Sequence, residues 1–83
     1  MEEEEMVIFY NDGESMMKFF EGEDGITVDL PHEGKTGTFT SVEELCYALA
    51  RIVHHIPEKY YLAGMLSLWF GENEEEVLEW LMK

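Results

Sequence analysis

The sequence predicts an α+β fold in which an antiparallel meander of three to four strands packs on two to three helices. Residues 6–40 contain short runs of strand-favouring residues separated by glycine-containing turns, a pattern typical of strands joined by hairpins. Residues 41–83 instead repeat apolar side chains at helical spacings of three and four. We expect a single domain over residues 1–83, with the acidic residues 1–5 frayed.

The strands are predicted in order from the turn signals. Residues 6–10, MVIFY, are followed by Asn-Asp-Gly, so a hairpin should return through residues 15–20. The sequence of this return strand, SMMKFF, fits a short helix equally well. Residues 26–30 alternate apolar and polar side chains, which predicts that Ile26, Val28 and Leu30 face the core. Residues 35–40 are rich in threonine and predict a short edge strand.

The helical half is organised around residues 41–56, SVEELCYALARIVHHI. Ser41 and Glu44 have the spacing of a capping box, which fixes the start of this helix. Pro57 cannot continue the backbone hydrogen bonding, so the helix is expected to end near His55. Its apolar residues form one stripe: Val42, Leu45, Leu49, Ile52 and Ile56.

Two further helices are expected after Pro57, which suits the first turn of the second one. Gly71 is a natural left-handed stop. Asn73 is expected to cap a third helix, whose first turn holds three glutamates where the helix dipole favours anions. The second helix is predicted to have one broad apolar face, formed by Tyr61, Leu62, Met65, Leu66 and Trp69. The residues of the third helix that are predicted to face inward are Val77, Leu78 and Leu81.

The chain is strongly acidic, with 16 Glu and 3 Asp against 5 Lys plus Arg and a net charge of -14 at pH 7. Leu, Ile, Val and Phe together number 22 of 83 residues. This share exceeds the roughly 20% below which highly charged chains fail to fold, so we expect a folded protein. Such a surface repels nucleic acid and anionic membranes, and it attracts basic protein surfaces.

Three features predict a soluble, cytosolic protein. Cys46 is the single cysteine and has no internal disulfide partner, which suits a reducing compartment, and we expect it to be a small buried side chain. The start, MEEEEM, is the opposite of a cationic signal peptide. No apolar run approaches the roughly 20 residues that are needed to span a bilayer.

The residues predict no catalytic, cofactor or metal site. His54 and His55 are adjacent, so on a helix they point about 100° apart and cannot hold one metal together. Near the helix C-terminus they are expected to interact with the last carbonyl groups. The acidic turn EGEDG lacks the alternating ligands of a calcium loop, and no nucleophile has a positioned base. We therefore expect a non-enzymatic protein without a cofactor.

The negative charge is distributed unevenly, with a net charge of -9 in residues 1–40, -1 in residues 41–71 and -4 in residues 72–83. A DNA duplex carries about one charge per 1.7 Å of axis, so this total corresponds to roughly 24 Å of duplex. A compact domain of this length has a diameter of about 30 Å. The comparison predicts that the protein occupies a Lys/Arg-lined nucleic-acid groove on another protein. The predicted contacts are Asp12, Glu14, Glu21, Glu23, Asp24, Asp29, Glu72, Glu75, Glu76 and Glu79, with Tyr60 and Trp69 as aromatic contacts.

The 83-residue chain concentrates its carboxylate groups in four segments, MEEEE, NDGE, EGEDG and ENEEE, and has no set of residues arranged for catalysis. In this overall character the sequence resembles the small acidic inhibitors that phages and mobile elements use against CRISPR nucleases or restriction enzymes. Some of those inhibitors act as DNA mimics. Such families share no common motif, so no residue roles are carried over. The resemblance implies a phage-encoded inhibitor that occupies a protein target in the host cytoplasm.

Two alternatives remain open. Large apolar side chains are numerous for two short helices, and any face left over from the core would bind a partner helix or a second copy in a homodimer. These side chains are Tyr60, Tyr61, Met65, Trp69, Phe70, Trp80 and Met82. The acidity would alternatively serve only to keep the chain soluble in high salt, although the preponderance of Glu does not favour this.

Overall fold

A computed structural model describes residues 4–10, 13–31 and 33–83, and these residues form an α+β fold. Four strands precede three helices: β1 Glu4–Tyr10, β2 Ser15–Gly22, β3 Gly25–Leu30, β4 Lys35–Phe39, α1 Val42–Ala50, α2 Ile56–Phe70 and α3 Glu74–Met82. The predicted fold class is confirmed. The chain divides between Ser41 and Val42 into two compact units, called the strand unit and the helix unit below. A single domain over residues 1–83 stays a prediction.

The strand unit is an antiparallel meander in the order β1-β2-β3-β4. Residues 15–20 belong to β2, so the helical alternative for SMMKFF is excluded. The first strand begins at Glu4, inside the stretch that was expected to be frayed. Glu4 and Glu5 lie opposite Glu21 and Phe20 of β2, so the length of β2 allows this earlier start.

The two faces of the sheet differ in burial. Ile26, Val28 and Leu30 are buried as predicted, and the same face holds Met6, Ile8, Tyr10, Met17 and Phe19. Residues that lie opposite each other on neighbouring strands share a face. Lys18 lies opposite Val7 and Asp29 on the other face, where Phe9 is 59% exposed. The more open face therefore mixes apolar and charged side chains.

The first helix is shorter than its apolar pattern predicted, because it ends at Ala50 and not near His55. The amides of Ile52 and Val53 both donate to the carbonyl oxygen of Leu49, at 3.0 and 2.9 Å, in the turn that ends the helix. Val53 is buried in the link that follows. The apolar spacing past Ala50 therefore reflects a buried link and not further helix.

His54 and His55 lie in this link and are exposed. His55 is the N-cap residue of α2, with φ -79° and ψ 123°. The prediction that both histidines lie in the last turn of the first helix is therefore wrong.

The predicted boundary between α2 and α3 is confirmed. Gly71 ends α2 in the left-handed conformation, with φ 69° and ψ 32°, and its amide donates to the carbonyl oxygen of Ser67. The side chain of Asn73 caps α3 by accepting a hydrogen bond from the amide of Glu76 at 3.2 Å. This tight connection makes α2 and α3 an antiparallel helical hairpin. Within the described ranges, no helix combines the length and apolar character that crossing a membrane requires.

Candidate protein-binding surfaces

The buried face of α2 contains a lysine. Leu62, Ala63 and Leu66 are buried, and Lys59 extends their row at helical spacing with only 8% of its surface exposed. The Nζ atom of Lys59 donates a 2.7 Å hydrogen bond to the carbonyl oxygen of Leu81. Tyr61 is 53% exposed, so the prediction that it shares one face with Leu62 and Leu66 is wrong. Because α2 is apolar on both sides, the spacing of apolar residues does not distinguish its two faces.

The opposite face of α2 carries a row that we call the outer stripe: the exposed Tyr60, Tyr61 and Leu68, and the half-buried Gly64. Tyr60 is 57% exposed. Leu68 is 83% exposed, which is the largest exposed fraction of any large apolar side chain that the structure describes. The sequence reasoning identified Tyr60 as a contact but missed Leu68. The spacing of four residues from Tyr60 through Gly64 to Leu68 is the signal that identifies it.

Trp69, the second predicted aromatic contact, is only half-exposed. Its ring lies 6.0 Å from that of Phe70, with an angle of 33° between the planes. Its Nε1 atom is buried and has no acceptor among the described residues. The structure therefore separates Trp69 from the exposed side chains of the outer stripe.

A second surface, the acidic segment, consists of Glu72, Glu74, Glu75, Glu76 and Glu79, all of which are exposed. Glu72 precedes the N-cap residue Asn73 and so lies outside α3. Of the predicted contacts in this stretch, Glu75, Glu76 and Glu79 lie on α3 and Glu72 does not. Residues 60–82 contain no Lys, Arg or His, so no cation of this stretch neutralises the segment.

The acidic segment affects two titrating groups of α1. Burial raises the pKa of the Cys46 thiol to about 12, and the charge of Glu72 adds to this effect. The hydroxyl of Tyr47 donates a 2.6 Å hydrogen bond to Oε2 of Glu43. This bond raises the pKa of Tyr47, with smaller contributions from burial and from the charges of Glu43 and Glu79. Glu72 therefore acts on Cys46, whereas Glu43 and Glu79 act on Tyr47.

A third surface, the sheet-end cluster, consists of Glu5, Glu21, Glu23 and Asp24. Glu23 and Asp24 form the turn between β2 and β3, which the pair Gly22 and Gly25 closes. Glu5 and Glu21 lie near the same end of the sheet, since β1 pairs there with β2. All four side chains are exposed.

The remaining predicted acidic contacts lie elsewhere or cannot join this cluster. Asp29 lies near the end of β3 that is far from the Glu23–Asp24 turn, across from Lys18 and Thr36. Its Oδ1 atom accepts a 3.2 Å hydrogen bond from the hydroxyl of Thr36. Glu14 lies in the turn at the other end of β2, and Asp12 falls outside the described residues. The predicted contacts Glu14, Glu21 and Asp29 therefore do not form one row along the strands.

A scan against protein-family models found no match, and searches of curated proteins and of solved structures also found none. Among the described residues, no group of three or more His, Cys, Asp or Glu side chains is arranged to hold a metal ion. The three candidate surfaces are therefore identified by geometry and charge alone.

Proposed function

We propose that the protein is a non-enzymatic inhibitor that binds a basic, nucleic-acid-binding groove of a target protein, such as a CRISPR effector or a restriction nuclease. It acts in the cytoplasm, inside the host cell if a phage encodes it. Its carboxylates take the place of nucleic-acid phosphates against Lys and Arg side chains, which bind carboxylate and phosphate oxygens alike. It needs no cofactor and does not bind nucleic acid itself.

The density of charge on α3 is the observation that carries this proposal. Glu74, Glu75, Glu76 and Glu79 are all exposed, and they span about 8 Å of helix axis at 1.5 Å per residue. This is roughly one charge per 2 Å, close to the value of about one per 1.7 Å for a DNA duplex. The sheet-end cluster supplies four more exposed carboxylates.

A panel of purified CRISPR effectors and restriction nucleases tests this proposal through their DNA cleavage. We expect the protein to inhibit at least one of them, and Glu75→Lys combined with Glu79→Lys to weaken inhibition by about tenfold or more, since close charge pairs contribute over 1.4 kcal/mol. The single variant Glu75→Lys is tested as well, with Glu33→Lys as its control. Glu33→Lys makes the same charge change at an exposed turn of the strand unit. Equal effects of these two single variants would contradict the proposal.

A second candidate function is a protein-interaction module that binds through the outer stripe of α2. The exposure of Tyr60, Tyr61 and Leu68 on one helix face favours it, because contiguous exposed apolar side chains mark interaction sites. Binding of this kind would be nearly indifferent to salt if apolar contacts alone carried it.

A further inference from the structure

The outer stripe has the spacing of a helix-binding face. Tyr60, Tyr61, Gly64 and Leu68 follow one another at intervals of one, three and four residues. Intervals of three and four residues are those of the anchors through which one helix docks on another. The buried residues Leu62 and Leu66 point to the other side of α2, so the stripe is not part of the core of the helix unit.

Gly64 leaves a notch in this stripe. Tyr60 and Leu68 lie one helical turn before and after it, so the missing side chain opens a gap between two large exposed ones. A Cβ atom at Gly64 would meet only Oε2 of Glu74, at an ordinary contact distance of 3.5 Å. Alanine would therefore fit, and it would favour the helix over glycine. The packing of the described residues does not require the notch, whose shape suits a side chain from another helix.

The charged groups near the notch are negative. The carboxylate of Glu74 lies beside Gly64, and the rest of the acidic segment follows along α3. Lys59 is the one cation in the sequence of α2, and it is buried on the other face with Leu81 as its acceptor. A second copy of the chain would bring two Glu74 carboxylates and two net charges of -14 together, which opposes self-association.

We propose that the outer stripe binds an amphipathic, basic helix of a partner protein, with an apolar side chain of that helix in the Gly64 notch and its Lys or Arg side chains facing Glu74 and the acidic segment. This inference rests on the second candidate function and not on occupation of a nucleic-acid groove. Apolar contact supplies affinity in this arrangement, and the carboxylates select a cationic partner.

A synthetic helical peptide that carries leucine at spacings of three and four among lysines is the probe. One control peptide has the same composition in scrambled order, and another keeps the leucine pattern with glutamate in place of lysine. Binding is measured by calorimetry at ionic strengths of about 0.05 and 0.5 M. We expect the amphipathic lysine peptide to bind the full chain more tightly than either control, and more weakly at the higher salt.

Three variants locate the binding site. Leu68→Ser should weaken binding of the lysine peptide by about tenfold, the effect of losing one well-buried apolar contact. Gly64→Ala should weaken it to a similar extent for a different reason, because its methyl group fills the notch that the peptide side chain enters. Gly64→Ala should at the same time raise the thermal midpoint, a combination that a purely structural role of this glycine does not predict. Phe9→Ser removes a large exposed apolar side chain from the strand unit and should leave binding unchanged.

Equal binding of the scrambled or glutamate peptide would overturn the inference, as would unchanged binding by Leu68→Ser. Self-association that Leu68→Ser abolishes would overturn it too, because a second copy would then occupy the stripe. None of these results would contradict the groove proposal, because that proposal is tested by nuclease inhibition, which is measured without the peptide. The reverse failure, a nuclease panel without inhibition, does not affect the peptide result.

Discussion

The ammonium group of Lys59 lies 2.7 Å from the carbonyl oxygen of Leu81 and connects the first turn of α2 to the last turn of α3. Carbonyl groups in the last turn of a helix have no partner within the helix and form the negative end of its dipole, so a cation there is favourable. The same contact holds the positive charge away from the outer stripe. The surface along α2 and α3 is therefore more negative than the sequence of α2 suggests.

Replacement of Lys59 by methionine should destabilise the helix unit. Lys59→Met keeps the apolar chain but leaves the Leu81 carbonyl without its donor, which costs about 1 to 3 kcal/mol for a buried group. Urea unfolding followed by tryptophan fluorescence measures this, because Trp69 and Trp80 both lie in the helix unit. The control Lys35→Met alters an exposed lysine of β4 and should change stability by less than about 0.5 kcal/mol. Equal unfolding midpoints in the two variants would contradict the role assigned to Lys59.

Replacement of Gly25 by alanine should destabilise the strand unit. Gly25 has φ +128°, and a Cβ atom there would clash with the carbonyl oxygen of Phe39. Strain of this kind costs about 1 to 3 kcal/mol. Gly22 lies opposite Gly25 in the same pair, yet a Cβ atom on Gly22 would meet nothing within 4 Å. Thermal unfolding should therefore show a lower midpoint for Gly25→Ala than for Gly22→Ala, and a midpoint of Gly22→Ala as low as that of Gly25→Ala would refute this account.

Local signals predicted the strands and the α2–α3 boundary well, because the chemistry that fixes them is local. Asn73 accepts a hydrogen bond from a residue three positions away, and Gly71 adopts a backbone conformation that glycine favours. The alternation of Ile26 with Val28 likewise needs only one buried face. Such features are visible in the order of residues.

The sequence was less informative where burial alone decides the outcome. Val53 continues the apolar spacing of α1 although it lies in a link after the helix, because a buried link needs apolar residues as much as a helix does. Tyr61 was predicted to share the apolar face of Leu62, whereas Lys59 lies on that buried face and Tyr61 does not. The apolar chain of Lys59 allows it to be buried, and its acceptor lies in another helix. The residues next to it in the sequence therefore do not predict its burial.

Alkaline pH should destabilise the folded protein through Cys46. Burial raises the pKa of its thiol to about 12 from an ordinary value of 9.0. Below pH 9 both states hold the proton, and the stabilisation is fully present. Between about pH 9 and pH 12 the unfolded chain loses its proton first, so the free energy of unfolding falls by at most about 1.4 kcal/mol per pH unit.

The control for this prediction is Cys46→Ala, which removes the thiol and keeps the hydrogen bond to Glu43, the largest cause of the raised pKa of Tyr47. Urea unfolding at several alkaline pH values should show a shallower loss of stability in this variant than in the unaltered chain. Identical pH dependences would show that Cys46 contributes nothing to the alkaline transition.

Competition with duplex DNA tests the central claim most directly. A labelled duplex is bound to a nuclease that the protein inhibits, and its displacement is measured at ionic strengths of about 0.05 and 0.5 M. We predict competitive displacement that weakens steeply with salt and is weakened by about tenfold or more in Glu75→Lys with Glu79→Lys. Simultaneous binding of protein and duplex, or displacement that is insensitive to both salt and charge reversal, would contradict the account.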